Sequence, residues 1–571
     1  MKKDANKNPS SLAALDKIAH FGTYACRAWR IKIIARHPWF TRPLANEYER
    51  IALADGYIAA NQWLLQFEKS LKLGRTGLFV DCNDDDIKQY CEVKTKSLFA
   101  LIASLSQAYG SKMYKQVIRE VAAKFELIGI PFPLNLSREY DKQAAIAALA
   151  RITDPIWLRR KLRTQAARQL ENICRNLGIV SNRKAPYVSD YTLRRRTEQR
   201  YRNRKLLERH EAVNIDTGFK SSLADIVDSS VSNPINRRNE YMTRVRGSED
   251  CANAMGFKAV FLTVTCPSAY HAVSHKTGNK NPKFGGYSPI EAQAYLNKVW
   301  AKTRAKWHRN DIRCFGFRVT EPNHDGTPHW HLLLFFAPDV LHKAVDILKE
   351  YAMEVSPDEL GASKYRFDCE LIDTSKGSAT GYISKYISKN IDGLGLESES
   401  DFETNKKALD SIQRVEAWAS TWGIHQFQQI GSTSVTVWRE LRRLREPLEH
   451  ASLEELEQLR AACDTGDWGR FIELMGGPLV KRADMPVRAL HVISEQSDET
   501  SNKYGEMTKR LQGVVMRGSV KVITRIHEWR IQLADRDEVV AQFDQREFYQ
   551  TPYEPDVIFD RFSPSSGRDY E

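Results

Sequence analysis

The chain has 571 residues, of which 42% are hydrophobic and 27% charged. This is ordinary globular composition, which excludes collagen-like repeats and wholesale disorder, and the length suggests roughly three or four domains. Lys and Arg number 85 against 72 Asp and Glu, a formal net charge of +13, and residues 151–210 alone carry 17 basic and 5 acidic side chains. That one block holds nearly the whole imbalance. It is the footprint expected of a nucleic-acid-binding surface, although a solvated helical face explains the same charges. The nine cysteines include no CxxC pair, so neither a disulfide framework nor a zinc knuckle is expected and a reducing cytosol fits. No apolar run near the middle approaches the ~20 residues of a membrane span. The start MKKDANKNPSSLAALDK has no apolar segment of a secretory signal behind it.

In chain order, residues 1–150 read as a helical N-terminal domain, with apolar residues at three- and four-residue spacing over 44–73 and 91–125. Residues 151–230 form a basic helical arm in which Trp157, Tyr187, Tyr191 and Tyr201 lie among the arginines, as base stacking or plain core anchoring would require. The character changes near residue 255. KAVFLTVTCPS (258–268) reads as a strand. SPIEAQAYLNKVWAKTRAKWHRN (288–310) reads as a helix opened by a capping box of Ser288 and Glu291 around Pro289. IRCFGFRVTEP (312–322) and HWHLLLFFAP (329–338) read as strands joined by the turn-rich NHDGT. A helix over 339–355, a strand over 364–373 and a helix over 378–392 complete a β-α-β-β-α-β-α order. That is a split βαβ pattern, and it predicts an α+β fold with a mainly antiparallel sheet and helices on one side. Residues 446–530 read as a helical C-terminal region, with a second capping box at Ser452 and Glu455, and residues 531–571 as an acidic tail of net charge −6.

Two clusters can carry chemistry. In a strand, His329 and His331 of HWH project to one face while Trp330 points into the core. If NHDGT closes a hairpin, Glu321 on the preceding strand lies beside them, and two imidazoles with one carboxylate make a three-ligand metal site with open positions. His324 and Asp325 are rival third ligands on a less predictable loop, and a pair of ordinary core histidines is the plain alternative. In GYISKYISKN, Tyr382 and Tyr386 lie four apart on a helix and share a face, which Lys389 joins and Lys385 flanks. A phenol is a poor nucleophile at neutral pH, but a nearby cation or a metal-bound phosphate makes attack by phenolate feasible. An amphipathic helix with Tyr and Ile in the core is the bland alternative. Thr263 and Thr265 of FLTVT either face the site or are plain residues of a buried β-branched central strand, the second being the expectation, and Cys266, Cys314 and Cys369 read as small apolar core residues.

The order of these parts resembles the HUH endonucleases, and among them the two-tyrosine rolling-circle initiators of the bacteriophage replication gene A protein family. The resemblance rests on FLTVTCPSAYH (261–271), FRVTEPNHDGTPHWHLLLFF (317–336) and ATGYISKYISKN (379–390). It extends to DPIWLRRKLR (154–163), PYVSDYTLRRR (186–196), NPINRRNEYMTRVRG (233–247) and IHQFQQIGSTSVTVWRELRRL (424–444), and so covers roughly 150–445. It implies an HUH endonuclease domain over 231–445, with an RRM-like sheet, that nicks one strand of a phage replication origin. His329, His331 and Glu321 would hold Mg²⁺ or Mn²⁺ against the scissile phosphate. Tyr382 or Tyr386 would attack phosphorus, leaving a free 3′-hydroxyl and a 5′-phosphotyrosine, and the second tyrosine would serve a second cut. The implied setting is the cytoplasm of a bacterial host.

The basic block nominates Arg159, Arg160, Lys161, Arg194, Arg195, Arg196, Arg202, Arg204 and Lys205 for contact with origin DNA. No GxxxxGK[ST] occurs in the chain, so unwinding would fall to a host replicative helicase as partner, with no role for a membrane. Three other readings share some of these features. A transposase or relaxase would use the same nuclease core. A non-catalytic nucleic-acid-binding module would stack bases on Phe335, Phe336 and Phe367. A non-haem iron oxygenase would share the ligand set but leave the tyrosines and the basic arm unexplained.

Overall fold

The computed structural model describes residues 9–110, 113–373, 375, 377–392, 408–492, 501–517 and 520–534. The chain divides into two compact units, Met1–Val180 with Gln496–Thr508 and Ser181–Glu495 with Lys509–Glu571.

The first unit is helical. Its main helices are Thr41–Ser70, Asp84–Tyr109, Tyr114–Glu126, Lys142–Ile152 and Pro155–Asn176. The last three are short or strongly amphipathic and bury Ile118, Val121, Phe125, Leu158 and Leu162 in a common core. Asp154 caps the helix that Pro155 opens, and its side chain also accepts from the Tyr504 hydroxyl at 2.7 Å. Residues near 504 therefore belong to this unit rather than to the C-terminal region expected over 446–530.

The second unit is built on a five-stranded sheet. Its parts are, in chain order, helix α1 (Pro234–Ala254), strand β1 (Lys258–Val264), helix α2 (Pro289–Arg309), strands β2 (Cys314–Pro322) and β3 (Pro328–Phe336), helix α3 (Leu341–Met353), strand β4 (Phe367–Leu371), helices α4 (Ala379–Ile391) and α5 (Ala408–Trp422), and strand β5 (Phe427–Ile430). The strand order is β4-β1-β3-β2-β5 and every neighbouring pair is antiparallel. The fold is α+β, in a chain that is otherwise largely helical. The capping box at the start of α2 is present, with both the Ser288 and the Glu291 bonds made.

Helices cover both faces of this sheet, not one. One face buries Val260, Leu262, Trp330, Leu332, Leu334 and Phe336 against α2 and α3. The other buries Phe261, Phe315, Phe317, Leu333 and Phe335 against α1 and α4. The reason lies in β3, where LLLFF has no polar alternation and all nine residues of the strand are buried. A strand apolar on both faces needs cover on both. Strand β5 was not anticipated; its four residues FQQI are too short and polar to signal one.

Other differences are local. The helix after residue 452 begins at Glu454 with Leu453 as its cap and no side-chain cap bond, because Ser452 is engaged with the His450 imidazole instead. Residues 446–530 are helical only to Leu474; Val487–Val492, Arg510–Met516 and Lys521–Ile523 then form a small antiparallel sheet rich in β-branched residues. Trp529–Leu533 pairs with His210–Asn214, so the first residues of the expected acidic tail are strand, and 535–571 lie outside the described residues. Cys266 is buried, Cys314 half-buried and Cys369 exposed, so Cys369 on edge strand β4 is not a core residue.

Gly316 sits in β2 with φ +152°, and a Cβ there would run into the backbone oxygen of Leu333 on β3. Gly316→Ala must therefore push apart the two central strands. The expected outcome is a loss of about 3 kcal/mol or more of unfolding free energy in urea titrations.

Candidate active site

The hairpin β2–β3 sets the geometry. Its register places Glu321 directly opposite His329 and Val319 opposite His331. With a period of two, Glu321, His329 and His331 all project to the face that carries α1 and α4. The connecting turn is locked from several sides. The Asn323 N–H donates to Thr327 O at 2.7 Å, the Asp325 carboxylate accepts from the N–H groups of Thr327 (3.0 Å) and Ala272 (2.7 Å), and the Trp418 indole N–H donates to Gly326 O at 2.8 Å. Asp325 is thereby committed to the loop. His324 is buried, stacked edge-on with His275, and held by burial down to about 4. Neither joins the metal-capable group; among the described residues that group is Glu321, His329 and His331, whose ligand atoms lie within 4.8 Å of one another.

The two Nε2 atoms converge at 2.9 Å, and Glu321 Oε2 is 3.8 Å from that of His331. Two ligands held at about 2.1 Å from one ion at a right angle are separated by about 3 Å, so the imidazole spacing fits a shared cation. Burial holds His329 down to about 3, with Lys389 and His271 adding to the effect, and burial, His329 and Lys389 hold His331 well below its ordinary value. Both rings are therefore neutral at pH 7, the state that ligates. Thr263 Oγ1 lies 3.1 Å from His331 Nδ1. A proton on that nitrogen, donated to the hydroxyl, would orient the ring and turn the Nε2 lone pair toward a shared cation. Thr263 is thus a partner of the site, beyond its place in the strand. Thr265 bonds the Tyr365 carbonyl at 2.8 Å and takes no part.

Helix α4 lies across this face. Its N-terminus is anchored by the buried Glu249 of α1, which accepts from the N–H groups of Ala379 (2.7 Å) and Thr380 (3.0 Å). An anion at the first turn satisfies otherwise orphaned donors. Its C-terminal end is tied to the metal-capable group through Asn390. The Asn390 amide donates to Glu321 Oε1 and to Tyr386 O, while its oxygen accepts from Gln426 at 2.8 Å. Lys389 Nζ lies 3.8 Å from Glu321 Oε2 and 5.6 Å from the centre of the Tyr187 ring. Tyr187 is itself buried with φ +69°, and its N–H donates to His324 O at 3.1 Å.

The two tyrosines are placed differently. The Tyr386 ring packs 4.1 Å from the His331 ring and 5.1 Å from Phe261. Burial first, and Glu321 second, raise its hydroxyl, with Lys389 opposing. Tyr382, one turn earlier, donates from its hydroxyl to Glu370 Oε1 on β4 at 3.1 Å, and that bond raises its pKa. Lys385 is exposed and joins none of these contacts. Glu249, Glu370, Asn390 and Gln426 were missed from sequence. Asn390, in the string ISKN beside Lys389, and Gln426, in IHQFQQI, lay within segments already quoted.

The nominated DNA-binding residues divide between the units. Arg159 and Arg163 both pair with Asp84; burial raises that carboxylate, but the two guanidiniums win and hold it at about 2. Arg159 is 4% exposed, an interior ion-pair member rather than a phosphate contact. Arg160 is half-buried, and Lys161 is exposed with its ammonium over the Trp157 ring. On helix Asp190–Arg209 of the second unit, Arg194 and Arg202 are exposed and Arg195 half-buried. Arg196 pairs with Glu416, Arg204 with Asp228 and Glu208, and Lys205 with Glu208. Trp157 and Tyr187 are core residues and Tyr201 is exposed. Phe335, Phe336 and Phe367 are buried as well, which removes them as a base-stacking platform.

Residues 86–394 match the family model described as bacteriophage replication gene A protein. The chain belongs to that family. It is 40% identical over 406 residues to the replication gene A protein of Escherichia phage 186, an alignment covering 70% of this chain and 58% of that protein. It is 34% identical over 476 residues to the replication gene A protein of Escherichia phage P2, covering 79% and 62%. It is 36% identical over 398 residues to a probable replication endonuclease from a prophage-like region of Salmonella typhimurium, covering 67% and 48%. The chain thus spans about half to three fifths of the length of these relatives. No solved structure matches. Among the described residues no helix is long and apolar enough to cross a membrane.

The buried imidazoles set a pH dependence. The unfolded chain takes up protons near pH 6.5 where folded His329 and His331 do not, so stability falls as pH drops below that value. Each contributes about 1.4 kcal/mol per pH unit. Urea unfolding of metal-free protein between pH 7 and 5 should show this decline, and a His329→Gln, His331→Gln double variant should show a shallower one.

Proposed function

We propose that this protein is a phage replication endonuclease that nicks one strand of origin DNA by tyrosine attack, in the manner of HUH endonucleases, to start rolling-circle replication. The observation that carries this reading is the packing of the Tyr386 ring on His331, one of the three metal-capable residues. Family membership and relatives named for replication and endonuclease support it.

His329, His331 and Glu321 would hold Mg²⁺ or Mn²⁺, which supplies polarisation of a non-bridging phosphate oxygen. Asn390 keeps the Glu321 carboxylate turned toward the imidazoles and fixes the reach of α4. Tyr386 gives up its phenol proton to solvent and attacks phosphorus; the P–O3′ bond breaks, the 3′-oxygen takes a proton from water, and a 5′-phosphotyrosine forms. Burial and Glu321 keep the Tyr386 phenol protonated in the resting site, so the Lys389 ammonium, close to Glu321, is the group that favours phenolate as DNA enters. Tyr382 waits one turn away with its proton shared with Glu370, which is positioned to accept it. The link stores the phosphodiester energy, so the released 3′-hydroxyl can rejoin it without a nucleotide cofactor. Exposed Arg194 and Arg202 would contact duplex phosphates, in a salt-dependent way. The chain carries no P-loop motif, so a host helicase would unwind the template, in the bacterial cytoplasm. The relaxase or transposase reading uses the same chemistry and differs in the DNA recognised.

The test uses a 3′-labelled single-stranded origin fragment and supercoiled origin plasmid with Mn²⁺. Tyr386→Phe should reduce covalent protein–DNA adduct to background. Tyr382→Phe should leave the first cut within about tenfold of the unmodified protein while stopping the second cut. EDTA should abolish both reactions. Adduct formed equally by Tyr386→Phe, or cleavage undiminished in EDTA, contradicts the proposal.

A further inference from the structure

Arg318 lies on β2 three residues before Glu321, and strand alternation turns it to the opposite face of the sheet, toward α2. It is 5% exposed, and among the described residues its Nε has no hydrogen-bond partner and it forms no ion pair. Its guanidinium stacks over the Trp330 ring at 4.0 Å. Burial lowers it to about 10, so it stays charged at neutral pH, and no carboxylate contributes to its electrostatics. A ring face partly offsets a buried cation but satisfies none of its five donors.

Arg318 lines a groove of about 280 Å³ between α2 and the segment that follows α5. Gln293 and Asn297 of α2 form one wall, and Trp422, Ile424 and His425 form the other. Gln293 is already engaged, accepting from the Trp330 indole at 3.1 Å. Asn297 and His425 are exposed at the mouth. An unpaired guanidinium at the floor, an amide and an imidazole at the rim, and an indole and an isoleucine along the side make a lining for an anion that carries a flat or apolar body. We propose that this groove is a phosphate-binding subsite, taking the phosphate of a nucleotide unit on Arg318, distinct from the site on the other face. The phosphate can come from a DNA strand or from a free nucleotide. The far wall runs directly into Gln426, the residue that bonds Asn390, so an occupant would rest against the support of the tyrosine helix. The proposal stands whether or not the protein nicks DNA.

The test needs a reading local to the groove, because basic helices bind phosphate elsewhere. The full chain is labelled with 5-fluorotryptophan, and the ¹⁹F resonances of Trp330 and Trp422 are followed while inorganic phosphate, dTMP or a (dT)12 oligonucleotide is titrated at constant ionic strength. Both resonances should shift saturably. Arg318→Met should abolish the shift without lowering the melting temperature of the free protein, since it removes an unpaired buried charge. Asn297→Asp, an exposed and conservative change that places a carboxylate in the groove, should raise the midpoint about tenfold; it decides the matter if Arg318→Met fails to fold. A lower midpoint for the oligonucleotide assigns the subsite to a DNA strand, and a lower midpoint for dTMP to a free nucleotide. Resonances unmoved by all three probes, or moved equally in both variants, overturn the proposal.

Discussion

The opposition of Glu321 and His329 across the β2–β3 hairpin is the constraint on which the candidate site depends. A strand has only two faces. A one-residue slip in this register would turn the carboxylate away from the imidazoles and toward α2. The pairing is held by nine consecutive buried residues in β3 and by a turn whose Asp325 is bonded at both oxygens. Once that register is set, one further bond fixes the helix. Asn390 joins Glu321 to the backbone of Tyr386, so the strand-borne carboxylate and the helix that carries the phenol are tied together.

The parts of the site with a local period were legible in the amino-acid order. HWH on an apolar strand announces two imidazoles on one face, and Tyr382 and Tyr386 at helical spacing announce two phenols on another. The turn residues between Glu321 and His329 gave the hairpin. What was not legible depends on partners distant along the chain. Asn390 meets a residue 69 positions away and Glu249 caps a helix 130 positions on, and a single buried Asn or Glu has no sequence pattern of its own. The cover on both faces of the sheet could have been inferred from LLLFF, whose lack of alternation contradicts a half-exposed strand. Thr263 is an intermediate case. A β-branched residue in an apolar strand is equally consistent with strand packing and with the site, and only the position of His331 on the neighbouring strand decides between them.

Charge counting was the coarsest guide. The basic block of 151–210 straddles two compact units, and its members do different work. Arg159 neutralises Asp84 in the interior of the first unit, whereas Arg194 and Arg202 are exposed on a helix of the second. Composition adds these charges together; only burial and partners separate a guanidinium that stabilises the fold from one that can meet a phosphate. Arg318 belongs to neither group, being buried and charged, without an ion-pair partner among the described residues, and outside the basic block altogether.

The proposed function requires one divalent cation between the two histidine rings and Glu321. Anomalous diffraction from a crystal equilibrated with Mn²⁺ measures this directly. A peak is expected about 2.2 Å from Nε2 of both His329 and His331 and from a Glu321 oxygen. A map at saturating Mn²⁺ with no peak there, or with its strongest peak held by other residues, would contradict it.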